Sequence, residues 1–404
     1  MTRAALAAIS IVLLLAIWPV QALGASSPAL SVRAAALIDA DTGQQLYGQD
    51  SGAELAIAST TKLMTALVTL EHARLNEVFA DPDFYPAAQD SQIGLRPGEL
   101  MSVHDLLIAM LLPSADDAAE DLAYNVGEHS VTRFIAMMNA QAHALGLDHT
   151  HYSTPIGLDT PGNYSSASDL VKLARYLLST EPFFKRVVDT PSAVVRMGGQ
   201  PRTVVNLNDL VARYPWINGV KTGHTLDAGY VLVGSGTRDG MTLISAVLGT
   251  ASEYARDQNT LSLLDWGFQN FVLRAPVSAA RPIATRPVQG QPGVKAKLIA
   301  ARAYTHVFPR TTRVRTLIRA PRQLTGPLRR HAVVGSVVVL AGGRVAARIP
   351  LLLDNALQAA PQTLPEKLSG PFTLVLLLLL LGSVLVLFRR GRIRAAAGAK
   401  RGHA

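Results

Sequence analysis

The sequence predicts a mixed α+β domain, then a small all-β domain, then a C-terminal membrane helix. Three observations predict it: strand-like segments flank a long helical stretch, the texture turns to short β-branched runs after Pro276, and the charge balance reverses at the same place. Ala34 to Asp39 reads as a strand before the helices. Gly229 to Gly236 and Thr242 to Leu248 read as strands after them, and a helical run from Arg256 to Phe271 follows. Between about Leu55 and Leu178, apolar residues recur at helical spacing in Lys62 to Leu75, Val103 to Leu112, Ala118 to Val126, Val131 to Leu145 and Ala167 to Leu178. Strands at both ends with helices between them do not make a regular βαβ repeat.

Beyond Pro276 the runs are Lys297 to Ala301, Ala303 to Phe308, Val314 to Ile318, Val333 to Leu340 and Val345 to Leu351, divided by Pro, Gly and basic turns. Residues 26–275 carry 16 Lys or Arg against 27 Asp or Glu, whereas residues 276–353 carry 14 basic residues and no acidic one. Such a split suggests two domains that face different neighbours. The chain has no cysteine, which excludes disulfides, thiolate catalysis and Cys-ligated zinc.

The ends of the chain carry export signals. Met1 to Ala25 has one early charge, Arg3, then an apolar run from Ala4 to Val20, then the small residues Ala22-Leu23-Gly24-Ala25, the pattern of a secretory signal peptide. Phe372 to Phe388 is uncharged, and at about 1.5 Å per residue it just spans a bilayer core. Arg389, Arg390, Arg392, Arg394, Lys400 and Arg401 then stay on the cytoplasmic side. The organisation expected is a signal peptide at 1–25, a catalytic domain at 26–275, a basic all-β domain at 276–355, a linker at 356–371, a transmembrane helix at 372–388 and a basic cytoplasmic tail at 389–404. The body of the protein is therefore expected outside the cytoplasmic membrane. Nucleic acid is an unsuitable partner there, and an anionic surface or polymer a suitable one.

Ser59-Thr60-Thr61-Lys62 opens a helical run, so Ser59 and Lys62 lie one turn apart on one face. A serine hydroxyl becomes a nucleophile only beside a base, and a lysine serves if burial or a second cation leaves it neutral. Alone, the pattern fits a Ser N-cap and an exposed lysine better. Lys221-Thr222-Gly223 precedes a strand-like segment. There a lysine supplies charge, a threonine hydroxyl binds a carboxylate, and a glycine lets substrate approach the backbone. Ser114, in Pro113-Ser114-Ala115-Asp116-Asp117-Ala118 between two helical runs, is placed to relay a proton or to cap a helix.

With these three segments the chain resembles the serine-type D-alanyl-D-alanine carboxypeptidases, the low-molecular-mass penicillin-binding proteins, whose signatures are Ser-x-x-Lys, Ser-x-Asn and Lys-Thr-Gly in that order. Leu95 to Glu99, Leu111 to Ser114, Met137 to Asn139, Leu145 to Leu147, Gly157 to Asp159 and Gly219 to Thr225 also look like family segments, so the likeness runs from about residue 27 to 390. It implies a penicillin-binding, β-lactamase-like fold with an antiparallel sheet and an inserted helical subdomain. It further implies removal of the terminal D-Ala from peptidoglycan stem pentapeptides in cell-wall maturation, β-lactam antibiotics as acylating inhibitors, and no cofactor or metal. Residue by residue, Ser59 is the acylated nucleophile, Lys62 its base and Ser114 the proton relay. Lys221 and Thr222 bind the substrate carboxylate, and Lys221 also keeps Lys62 neutral by repulsion. The N–H groups of Ser59 and His224 form the oxyanion hole, Gly223 gives access, and Arg256 stands near the cleft.

One departure matters. The family's asparagine is Asp116 here, which accepts a hydrogen bond from Lys62 but cannot donate one to a substrate amide. Weakened turnover is expected, and a peptidoglycan-binding or regulatory protein is the alternative. Thr154-Pro155-Ile156-Gly157 likewise departs from the family's Asn-Pro-His-Gly. A β-lactamase would need a glutamate to activate the deacylating water, and Glu181 is the nearest in sequence. His149 and His151, with His143 nearby, have metal-like spacing but read as surface histidines.

Overall fold

The computed structural model describes residues 27–82, 84, 87, 91–360 and the helix Pro371–Gly398, with the helix side chains described for 374–389. The expected signal peptide, residues 361–370 of the expected linker, and residues 399–404 of the tail lie outside the described residues. The chain divides into two compact units: Met1–Arg274 with Thr305–Thr312, and Ala275–Tyr304 with Arg313–Ala404.

The first unit begins with β1 (Ala34–Asp39) and β2 (Gln45–Gln49). A 3-10 turn, Ala58–Thr61, leads into α1 (Lys62–His72). The short strands β3 (Val78–Ala80) and β4 (Leu100–Ser102) pair ahead of α2 (Val103–Leu111), α3 (Asp116–Val126), α4 (Val131–Ala144), α5 (Ala167–Thr180) and α6 (Pro182–Val188). Then come β5 (Ser192–Met197), β6 (Gln200–Val205), α7 (Leu210–Arg213), β7 (Ile217–Thr225), β8 (Gly229–Arg238), β9 (Met241–Thr250) and α8 (Glu253–Asn270). The main sheet runs β2-β1-β9-β8-β7 and is antiparallel at each pairing, with β7 on an edge.

Period-two side-chain alternation makes this sheet a central layer. Ala34, Ala36 and Ile38 of β1 join one core with α1, α2, α3 and α5, while Ala35 and Leu37 join a second core with Leu261, Leu264 and Phe268 of α8. Both faces are covered, so β1 is buried at all its positions. Helix α1 is buried continuously from Lys62 to Thr69. Serine hydroxyls at 102, 130, 166 and 252 cap α2, α4, α5 and α8 by accepting from the N–H three residues on. The predicted helices and strands stand within a few residues of their expected bounds. The β5–β6 hairpin was not expected, because Val195 and Val204 are its only fully buried residues and no run of alternation marks it.

The second unit is all-β apart from its C-terminal helix. Its strands are β10 (Phe271–Val277), which starts in the first unit, β11 (Ala284–Val288), β12 (Gln291–Ala300), β13 (Tyr304–Pro309), which is shared likewise, β14 (Val314–Arg319), β15 (Val333–Ala341) and β16 (Arg344–Leu353). A five-stranded antiparallel sheet is ordered β11-β12-β16-β15-β14. Its inward face presents Leu298, Val337, Val339, Ile349, Leu351 and Leu353, all fully buried. The C-terminal apolar run is helical, α9 (Pro371–Gly398). Among the described residues, no helix is long and apolar enough to cross a membrane.

Candidate active site

The candidate nucleophile sits where β7 meets the turn before α1. Ala58 holds a left-handed backbone (φ 47°), which turns the chain sharply into Ser59. Two glycines make room for that turn. A Cβ on Gly223 of β7 would fall 2.8 Å from the Ser59 nitrogen, and one on Gly157 would fall 2.1 Å from the Ala58 carbonyl oxygen. The access expected at Gly223 is thus taken up by the Ser59 turn itself: the glycine lets the strand and the nucleophile's N–H lie side by side.

Lys62 is fully buried, and its Nζ donates to Ser59 Oγ (2.9 Å), Asp116 Oδ1 (2.5 Å) and the Ile156 carbonyl (2.7 Å). Three donors meet three acceptors, the full set of an ammonium group. Burying such an ion is tolerable only with this degree of pairing. Two more bonds support the turn: Thr65 Oγ1 donates to the Pro155 carbonyl, and Asn163 Nδ2 donates to Thr61 Oγ1.

Ser114 comes from the α2–α3 connection and is itself left-handed (φ 65°). It does not cap α3, whose N-cap is Ala115. Instead Ser114 Oγ accepts from Lys221 Nζ at 2.9 Å, across from β7. Lys221 is buried, and its Nζ also donates to the Thr222 carbonyl at 3.0 Å. Burial first, then the charge of Lys62, pushes the Lys221 ammonium well below the ordinary lysine range, with Asp116 opposing and Arg256 adding to the shift. The two lysines therefore share one electrostatic pocket.

The start of α3 holds more acid than the motif needs. Glu120 lies one turn beyond Asp116, and burial followed by the Asp116 charge raises its carboxyl to about 7, while Lys62 pulls the other way. Asp117, almost fully buried, accepts from the backbone N–H groups of Ile93, Gly94, Leu95 and Ala118, and so ties residues 93–95 to the first turn of α3. Sequence reading missed this anchor and the Ile156 carbonyl. Leu95 to Glu99 had stood out only as a family-like segment, and a carbonyl leaves no mark in a sequence.

The remaining candidates fall at varied distances from this centre. Thr222 and Gly223 are buried on β7, and His224 is exposed and stacked on Tyr230 with ring centroids 3.9 Å apart. Arg256, at the start of α8, is buried and bound to Asp257 Oδ1 (2.8 Å) and Glu253 Oε1 (3.0 Å). It acts on Lys221 through its charge. Glu181 ends α5 and influences Glu71, in the last turn of α1. Ser59 precedes the other end of that helix, about 15 Å away by its rise. Glu181 is thus associated with the end of α1 opposite Ser59. His149 lies 3.5 Å from Glu54, and His151 Nδ1 is 2.6 Å from the Gly162 carbonyl. Among the described residues, no group of three His, Cys, Asp or Glu could hold a metal ion.

A sequence profile of the D-alanyl-D-alanine carboxypeptidases, peptidase family S11, matches residues 21–252. The chain belongs to this family. DacF of Bacillus subtilis, a D-alanyl-D-alanine carboxypeptidase, is 29% identical over 346 residues, which cover 83% of this chain and 88% of that one. The structure of penicillin binding protein 5 from Haemophilus influenzae superposes with a TM-score of 0.67 at 26% identity, covering 82% of this carboxypeptidase and 99% of that chain. A Streptomyces DD-transpeptidase superposes with a TM-score of 0.58 at 32% identity, covering 60% of this chain and 99% of its own. The implied penicillin-binding α+β fold is the one observed, and the carboxypeptidase is a hydrolase by its family.

Proposed function

We propose that this carboxypeptidase removes the terminal D-Ala from peptidoglycan stem pentapeptides through an acyl-enzyme on Ser59. The observation that carries the reading is the pocket in which Ser59 Oγ lies 2.9 Å from Lys62 Nζ while Lys221 Nζ lies 2.9 Å from Ser114 Oγ. Lys62 acts as the base in its unprotonated form, which repulsion from Lys221 favours and Asp116 Oδ1, 2.5 Å away, opposes. Ser59 Oγ loses its proton to Lys62 and bonds to the carbonyl carbon between the two D-alanines. The oxyanion is met by the N–H groups of Ser59 and His224, and Lys221 with Thr222 holds the terminal carboxylate. As the C–N bond breaks, a proton reaches the departing amine through Ser114. Water then cleaves the ester by the reverse proton path. β-Lactams acylate the same hydroxyl. Arg256, occupied by Glu253 and Asp257, serves the site through its field.

The reading places the chain outside the cytoplasmic membrane, exported by residues 1–25 and tethered by Phe372 to Phe388, with the arginines after Phe388 on the cytoplasmic side. The apolar run and its basic flank support the tether. A second reading, a slow or regulatory penicillin-binding protein, draws support from the 2.5 Å Lys62–Asp116 ion pair, which holds a proton on the base. D-Ala release from a soluble pentapeptide, with fluorescent penicillin labelling in parallel, separates the readings. The wild type should do both, and Ser59→Ala should lose both by about 10³-fold or more. Labelling without release would select the regulatory reading, and an unaffected Ser59→Ala would end the mechanism.

A further inference from the structure

The outward face of the second unit's sheet carries a charge pattern that peptidase chemistry does not use. Strand register decides which residues share that face. Leu317 pairs with Val338, Val338 with Arg348, Arg315 with Leu340 and Arg319 with Ser336. On the next strand, Lys295 and Lys297 alternate with the buried Ala296 and Leu298. Because Leu298 pairs with the equally buried Leu353, these lysines share the face of Arg348. Lys295, Lys297, Arg315, Arg319 and Arg348 thus stand exposed on one sheet face with Leu317, which is 45% exposed. Among the described residues, none of the five cations forms an ion pair.

We propose that this sheet face docks on the anionic headgroups of a lipid bilayer. Charge complementarity carries the assignment: five unpaired cations lie on one face of a stretch, residues 276–353, that contains no acid. From β12 to β14 the sheet spans three spacings of about 4.8 Å, so the cations spread over some 14 Å across the strands, which suits a surface of many phosphates better than one small ligand. Arginine guanidinium groups bind phosphate by paired donors, and Leu317 adds an apolar contact at headgroup depth. Residues 354–370, the 17 between β16 and α9, reach at most about 60 Å. A bilayer holding α9 therefore keeps the sheet within range. The inference rests on the tether proposed above and adds to it a second, electrostatic contact.

The absence of cysteine allows a single label. Thr285→Cys sits on β11 opposite Lys297 and on the same face. Full-length chain carrying a donor dye there is placed in nanodiscs with acceptor-labelled headgroups, made of phosphatidylglycerol or of phosphatidylcholine. Energy transfer should be about twofold higher on the anionic discs, and should fall to the zwitterionic level in ~0.5 M salt. The Lys295→Gln, Lys297→Gln, Arg315→Gln, Arg319→Gln, Arg348→Gln variant should match that lower level while cleaving soluble peptide as the wild type does. Equal transfer on both lipids, or full displacement by a soluble polyanionic wall polymer, overturns the docking proposal. The tether is read separately. A chain that floats only with anionic vesicles keeps docking and loses the spanning helix, a chain that floats with both but shows equal transfer keeps the helix and loses docking, and a chain that floats with neither loses both.

Discussion

The two units use charge in opposite ways. In the first, Lys62, Lys221, Asp116, Asp117, Asp121 and Arg256 are each 4% exposed or less, and each is hydrogen-bonded. In the second, five of the sheet's cations stand exposed on one face, and the fully buried core residues are aliphatic. A buried charge fixes geometry because an unpaired one is intolerable, so each of these side chains dictates where its partners stand. An exposed like-charged array dictates nothing inside the fold and instead creates a field for something outside it. The difference therefore predicts where substitution is felt.

The largest effect on stability is expected at Asp117. Its carboxylate satisfies four backbone N–H groups, three of them in residues 93–95. Asp117→Ala should lower the unfolding free energy by about 3 kcal/mol or more, since several buried donors lose their acceptor at once. Urea unfolding measures it. A loss under ~1 kcal/mol would mean that water replaces the carboxylate, and that buried charge is less decisive here than the comparison holds.

Asp121 sharpens the same point through pH. Burial, then the charge of Asp81, raises its carboxyl to about 7, with Asn125 opposing through a hydrogen bond and Asp117 adding to the rise. A carboxyl whose folded pKa exceeds its unfolded value binds its proton more tightly when folded. Its contribution is thus fully present below about 3.8, and is lost as pH rises from there through about 7. Asp121→Asn, neutral throughout, should flatten that decline and leave the protein about 1–3 kcal/mol more stable than the wild type at pH 8. Thermal unfolding across pH 4 to 8 tests it, and parallel pH curves for the two proteins would contradict it.

How much of this was legible in the sequence follows from the same contrast. Ser59, Lys62, Ser114 and Lys221 were legible because their chemistry needs fixed residue types at recognisable positions, and the fold brings them within 2.9 Å of one another in pairs. Strands β14, β15 and β16 were legible because their β-branched runs stand between Pro, Gly and basic turns. Asp117 was not, because it acts on backbone N–H groups, which every residue has. The role of Gly223 was half read: the residue type announced a close approach, but which neighbour approaches is a fact of tertiary structure. Lys62–Asp116 was foreseen as a contact, whereas the third acceptor, the Ile156 carbonyl, comes from a residue 94 positions away.

Asp116 tests whether geometry or charge rules the site. Replacing it by Asn keeps an acceptor for Lys62 Nζ and the shape of the first turn of α3, and removes one negative charge. If charge rules, the proton on Lys62 is held less firmly, and the new amide can donate to substrate. Acylation by a fluorescent penicillin should then rise about tenfold, a gain of about 1.4 kcal/mol in the barrier. An unchanged or lower rate would show that a Lys62–Asp116 proton transfer contributes to catalysis, and the asparagine of the family would then not be interchangeable with this aspartate.

The smallest effect belongs to the second unit. Arg319 ends β14, an edge strand exposed at nearly every position, and has no ion-pair partner among the described residues. Arg319→Gln removes a charge while keeping most of the aliphatic stem, so neither the aliphatic core nor any ion pair is disturbed. Unfolding free energy should change by less than about 0.5 kcal/mol, and relief of repulsion from Arg315, four residues away on the same face, makes a slight gain the expected sign. The change should be largest at low salt and vanish near 1 M, where a charge is felt over only about 3 Å. A loss of 1 kcal/mol or more that persists at high salt would mean that Arg319 is held within the fold. The contrast between placed charge in one unit and displayed charge in the other would then fail at this residue.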